Sequence, residues 1–88
     1  MIDVARARAD TPGCTQILHF NNAGSALPPQ VVLDAQVNHL TEEAHTGGYE
    51  AAALANDQMQ MTYAAIARLI GAEVEEIALV ENATRAWD

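Results

Sequence analysis

Lysine is absent from this 88-residue chain. Its basic residues are Arg6, Arg8, Arg68 and Arg85, set against 12 acids for a formal charge of −8. With no basic patch to release phosphate counterions, nucleic acid is excluded as a partner. An anionic membrane surface is excluded for the same reason. The missing lysine also means that these residues cannot supply a Schiff base or a P-loop ammonium. Cys14 is the sole cysteine, which excludes an intrachain disulfide or a Cys-based zinc site and fits a reducing compartment. No apolar stretch approaches the roughly 18 residues a membrane span needs. Asp3 and Asp10 stand beside the first arginines where a signal peptide would have an apolar run, so the cytoplasm is the expected location.

Aromatic residues are scarce too, at 5% of the chain. The apolar half of the composition is alanine-rich, and Leu, Ile, Val and Phe together make about a fifth of the residues. Such a composition suits packed helices better than a sandwich. With few large side chains, the segment is expected to need a partner surface to finish its core.

Residues 1–16 read as a loosely held leader, with a turn at Thr11-Pro12-Gly13. Thr15 to Phe20 is a short apolar run, a strand or an extended arm. Asn21-Asn22-Ala23-Gly24-Ser25 breaks it with residues that tolerate left-handed backbone and bond their own main chain. Pro28-Pro29 opens a helix striped by Leu33, Val37, Leu40 and Ala44, and Gly47-Gly48 ends it. A second helix is expected from about Tyr49 to Ile70, with Met59, Tyr63, Ile66 and Ile70 on one face and Gly71 as its terminator. Glu73 to Glu76 form a solvated acidic turn, and Ile77 to Val80 is short enough for a buried strand. Asn82 or Thr84 then caps a new helix.

That last stretch is the most informative. A strand, a tight polar turn and a helix start bring free backbone N–H groups and the positive helix end to one spot, an anion site. Thr84 adds a hydroxyl, and Arg85 is the cation close by. The same residues also make an ordinary capped helix after a strand. Asn21 to Ser25 is the second candidate, since small residues let a ligand approach the backbone; a plain connector is the alternative. His19, His39 and His45 lack the i, i+4 spacing of helical metal sites, so no metal is expected. No catalytic residue is assigned.

In order, His19-Phe20-Asn21-Asn22-Ala23-Gly24, the proline-opened helix, Gly47-Gly48-Tyr49-Glu50, Gly71-Ala72, Glu76-Ile77-Ala78-Leu79 and Asn82-Ala83-Thr84-Arg85-Ala86-Trp87 resemble the N-terminal part of class V aminotransferase-family proteins. Cysteine desulfurases, selenocysteine lyases and isopenicillin-epimerase-like enzymes belong to that family. The resemblance covers roughly residues 17–88 and implies an α/β, fold-type-I pyridoxal 5′-phosphate (PLP) enzyme acting on an amino acid. It implies that Ala83 and Thr84 hold the cofactor phosphate and that Asn22, Ala23 and Gly24 lie beside the substrate carboxylate. It further implies a homodimer in which the Gly47–Tyr49 loop approaches the partner's site.

The Schiff-base lysine, the aspartate that pairs with the pyridine nitrogen and the histidine that stacks on the ring lie downstream in the family, and none is present here. Cys14 stands on the wrong side of the motifs to match the desulfurases' cysteine. The chain is therefore expected to be an N-terminal fragment, inactive alone. Residues 1–16 would be the leader, 17–71 an arm and helices on the small-domain side, and 72–88 the start of the large PLP-binding domain with its first strand. The alternative is a stand-alone acidic helical module that binds a partner through its Ala-rich faces.

Overall fold

A computed structural model describes residues 1–88 as five α-helices and two 3₁₀ turns, with no strand. The chain forms two compact units, Met1–Ala51 and Ala52–Asp88.

The first unit begins with helix α1, Val4–Ala9, and a 3₁₀ turn at Pro12–Thr15. Asp3 caps α1, its Oδ1 accepting the Arg6 N–H at 3.0 Å. The leader is therefore ordered, against the expectation of a loose segment. It is also tied down: the Gln30 N–H donates to the Asp10 carbonyl at 2.8 Å. A Cβ on Gly13 would lie 3.0 Å from Leu27 Cδ2, so the leader backbone presses directly on that side chain.

Helix α2 spans Gln30–Thr46, with Pro29 at φ −69, ψ 159 as the extended residue before it. The proline thus stands one position outside the first turn, and Gln30 takes the first helical place. Gly47 ends the helix at φ +95, a backbone conformation that a side chain would strain. The predicted stripe of α2 has no cover, with Leu33 47%, Val37 51% and Leu40 64% exposed.

The expected second helix is two helices. Helix α3, Gly48–Leu54, gives way at Ala55, where ψ flattens to −1, and α4 runs Asn56–Ile70. Asn56 and Asp57 follow the break, and their short polar side chains compete with helical bonds. Gly71 closes α4 in the left-handed region at φ +72, and the Ala72 N–H reaches back to the Ala67 carbonyl at 2.9 Å.

The acidic turn is a 3₁₀ turn at Val74–Glu76, where Glu76 Oε2 accepts the Glu73 N–H at 2.9 Å. Ile77 is extended, at φ −100, ψ 126, but Ile77 to Val80 pairs with no neighbour and is not a strand. An extended backbone becomes a strand only when a second one completes its ladder. The run from Thr15 to Phe20 likewise stays unpaired. Helix α5, Ala83–Trp87, is the last element.

Each unit buries one apolar residue, Ala51 and Ala67 respectively. The apolar helix faces are largely open to solvent. No helix is long and apolar enough to cross a membrane.

Candidate functional site

Two short turns carry the five candidate residues, one in each unit. The first is built by Asn21. Its Oδ1 accepts the Gly24 N–H at 3.1 Å, while its carbonyl accepts the Ser25 N–H at 3.1 Å. A Cβ on Gly24 would meet Asn21 Nδ2 at 2.6 Å and Oδ1 at 2.9 Å. Glycine is needed there for close approach and not for left-handed backbone, since only Gly47 and Gly71 have positive φ. Of the two properties expected of these residues, bonding their own main chain is the one used, through the Asn21 side chain, and left-handed backbone is not.

His19 fastens the far end of this turn. Its Nε2 lies 2.7 Å from the Ser25 carbonyl oxygen, and because a carbonyl only accepts, Nε2 carries the proton. Asn22 and Ala23 sit exposed at the crest, with the Asn22 amide making no bond inside the chain. Asn22 also lines a groove shared with His19, Arg8 and Cys14. Sequence reasoning assigns nothing to Arg8, and for His19 it expects only that it holds no metal. The signal it lacks is the backbone bond between Asp10 and Gln30, which brings the leader to this turn.

The second turn is built by Asn82, at φ −166, ψ 170. Its Oδ1 accepts the Arg85 N–H at 2.8 Å, which satisfies the third donor of α5. The Ala83 and Thr84 N–H groups precede the first possible intrahelical bond and have no acceptor in the chain. The Thr84 hydroxyl is also uncommitted. Every other threonine donates its hydroxyl to a carbonyl three or four residues earlier, at Thr11, Thr15, Thr41, Thr46 and Thr62. Thr84 is the second residue of its helix, so four residues back lies Val80, outside the helical turn.

Two backbone donors and one hydroxyl at the positive end of a short helix suit a phosphate oxygen set. Leu79, Val80, Glu81 and Arg85, the residues around this turn, line an open groove of about 430 Å³. Arg85 brings the positive charge there, and Glu81 partly offsets it. His39 and His45 belong to neither turn; His39 Nε2 lies 3.2 Å from Glu43 Oε1 on the surface of α2.

The sequence model of the aminotransferase class-V family matches residues 17–88. No solved structure matches the chain. The family is PLP-dependent in general and has fold type I, and the donor set at Ala83 and Thr84 fits the phosphate of such a cofactor. The match includes both turns and leaves out the first 16 residues. The chain belongs to the class-V aminotransferase family.

Proposed function

We infer that this chain is the N-terminal part of a PLP-dependent enzyme acting on an amino acid, of lyase, desulfurase or epimerase type. The observation that carries the reading is the family match over residues 17–88. The uncovered apolar faces of α2 and α4 support it, since they fit helices that pack on a larger body. Lysine is absent, so in this reading the residue that anchors the cofactor covalently lies outside these 88 residues.

In this reading Ala83 and Thr84 bind the cofactor phosphate through two N–H groups and the threonine hydroxyl. Asn22, Ala23 and Gly24 form part of the substrate wall, with the Asn22 amide free to donate to a carboxylate. Residues 17–71 belong to the small-domain side and 72–88 begin the large domain, where Ile77 to Val80 gains its ladder partner. Tyr49, 92% exposed after the Gly47 break, reaches toward the partner's site in a homodimer. When bound, the cofactor supplies an electron sink for bond cleavage at the amino-acid α-carbon.

The test is a titration of the ¹⁵N-labelled chain with PLP and, in parallel, with pyridoxal. The expected result is amide shifts at Ala83 and Thr84 that need the phosphate. Thr84→Val weakens the response about three- to tenfold, the worth of one hydrogen bond to a charged acceptor. Thr62→Val, whose hydroxyl is already spent on Gln58, leaves it unchanged. Equal shifts with pyridoxal, or none at these amides, would remove the phosphate turn. A sharp thermal transition of a soluble monomer, followed by circular dichroism, would favour the self-contained helical module.

A further inference from the structure

The leader, residues 1–16, is bonded densely to itself and sparingly to the rest of its unit. Asp3 caps α1 through the Arg6 N–H, and the Asp10 and Thr11 N–H groups close the helix onto the Arg6 and Arg8 carbonyls. The Cys14 and Gln16 N–H groups then close the 3₁₀ turn onto Thr11 and Gly13. Past the junction at Ile17, the leader is held by the 2.8 Å bond from the Gln30 N–H to the Asp10 carbonyl and by Gly13 against Leu27. Leu18 and Phe20, just beyond the junction, are 87% and 90% exposed in a run without a ladder partner, so nothing stiffens the joint.

A helix of six residues does not keep its shape alone, because its nucleation cost is never recovered. Every residue of α1 is exposed, so burial does not order it either. The order of the leader therefore comes from its docking. We propose that the leader is a strap with two states, docked and ordered or released and disordered, that switches as one body while α2 and the Asn21–Ser25 turn stay folded. The strap lies outside the family-matched residues 17–88, and the device does not depend on the enzymatic reading.

Docking serves both sides of the junction. Pro29 gives α2 no side-chain cap, and the Asp10 carbonyl accepts the first N–H of that helix in its place. An open groove of about 310 Å³ has Val4, Arg8 and Cys14 on the strap side and His19, Asn22 and Leu27 on the other. Release removes the first of these walls and bares the half-buried Leu27. The groove thus exists only in the docked state, and whatever occupies it holds the strap down by mass action.

Amide hydrogen exchange of the ¹⁵N-labelled full chain tests the switch. The N–H groups of Ala7, Thr11, Cys14 and Gln16 in the strap, and of Gln30 across the junction, are expected to share one opening constant. Ser25 and the middle of α2 open more rarely. Asp3→Ala is the sharpest probe, because the Asp3 side chain bonds the Arg6 N–H and nothing near Gln30. Loss of that cap shifts the helix equilibrium about fivefold, and a strap that moves as one body passes the same factor to Gln30. Leu27→Ala, acting from the other side of the junction, raises the same five constants about three- to tenfold and leaves the middle of α2 unchanged.

Constants that climb steadily toward Met1 describe a fraying end and overturn the strap. So does a leader that shares the constant of α2, which makes the two a single body, or one with no protection at all. A Gln30 constant indifferent to Asp3→Ala overturns it as well, since the cap and the tether then act apart.

Discussion

The Asn21 and Asn82 turns use one device to different ends. In each, an asparagine Oδ1 accepts the N–H three residues on, at 3.1 Å in the first and 2.8 Å in the second. After Asn82 the backbone continues into α5, so the capped donor is the third of a series and the two before it stay free. After Asn21 the chain reverses instead. Its carbonyl takes the Ser25 N–H, His19 grips the Ser25 carbonyl, and Pro28-Pro29 separates the turn from α2. The same local bond thus leaves a donor pair in one place and a side-chain wall in the other. The path of the chain beyond each asparagine makes the difference.

The comparison breaks most readily at Asn82. Loss of an N-cap costs about 1 kcal/mol, and a five-residue helix has little of its own to offset it. Asn82→Ala is expected to erase the helical ¹³C shifts of Ala83–Trp87 and, with them, any phosphate response at Ala83 and Thr84. Asn21→Ala removes the matching bond, yet the Ser25 N–H bond to the Asn21 carbonyl and the His19 clamp remain. Its expected cost is about 1 kcal/mol, with the turn keeping its shape. Equal damage from the two changes would mean that the flanking elements do not set the outcome.

What could be read in advance depends on the range of the interaction. Gly47, Gly71 and Asn82 act on groups within four residues, and their roles as terminators and cap are legible in the residue order. The donor pair at Ala83 and Thr84 comes from the Asn-Ala-Thr order by the same local logic. The leader is misread because its anchor joins two backbone groups twenty residues apart, and a carbonyl leaves no trace in the side-chain pattern. The break at Ala55 lacks proline and glycine, the usual punctuation. Ile77 to Val80 announces an extended run correctly but says nothing of a ladder partner, which no residue of this chain provides. Arg8 and His19 are illegible as groove residues for the leader's reason: their neighbourhood is made by that distant tether.

A finer test separates the asparagine's two contacts within the first turn. A methyl at Gly24 would occupy the space of the Asn21 amide, 2.6 Å from Nδ2. Gly24→Ala should displace that side chain and forfeit the 3.1 Å bond, about 1 kcal/mol of turn stability. With Asn21→Ala already made, nothing remains to displace, so the second change should be nearly free. Hydrogen exchange at Gly24 and Ser25 in the four chains of this cycle gives the coupling. Additive effects would mean that Gly24 answers to something other than Asn21.

The last test isolates the leader from everything else. Gln30 is the first residue of α2, where proline is well tolerated because the missing N–H serves no helical bond. Pro29 is already extended at φ −69, ψ 159, the conformation a following proline requires. Gln30→Pro should therefore leave α2 intact while deleting the one donor that holds the Asp10 carbonyl. It also removes the Gln30 Nε2 bond to Asp34 Oδ1, an exposed i, i+4 contact worth a few tenths of a kcal/mol. The tether itself is one backbone bond, about 0.5–1 kcal/mol. Exchange should accelerate a few-fold at Gln16 and Cys14, whose N–H groups bond within the leader, and stay unchanged at Ser25. If Ser25 exchanges faster too, the turn leans on the leader for its shape. If neither changes, the packing of Gly13 on Leu27 holds the leader without the bond, and the first turn differs from the second in having a wall that stands independently of its tether.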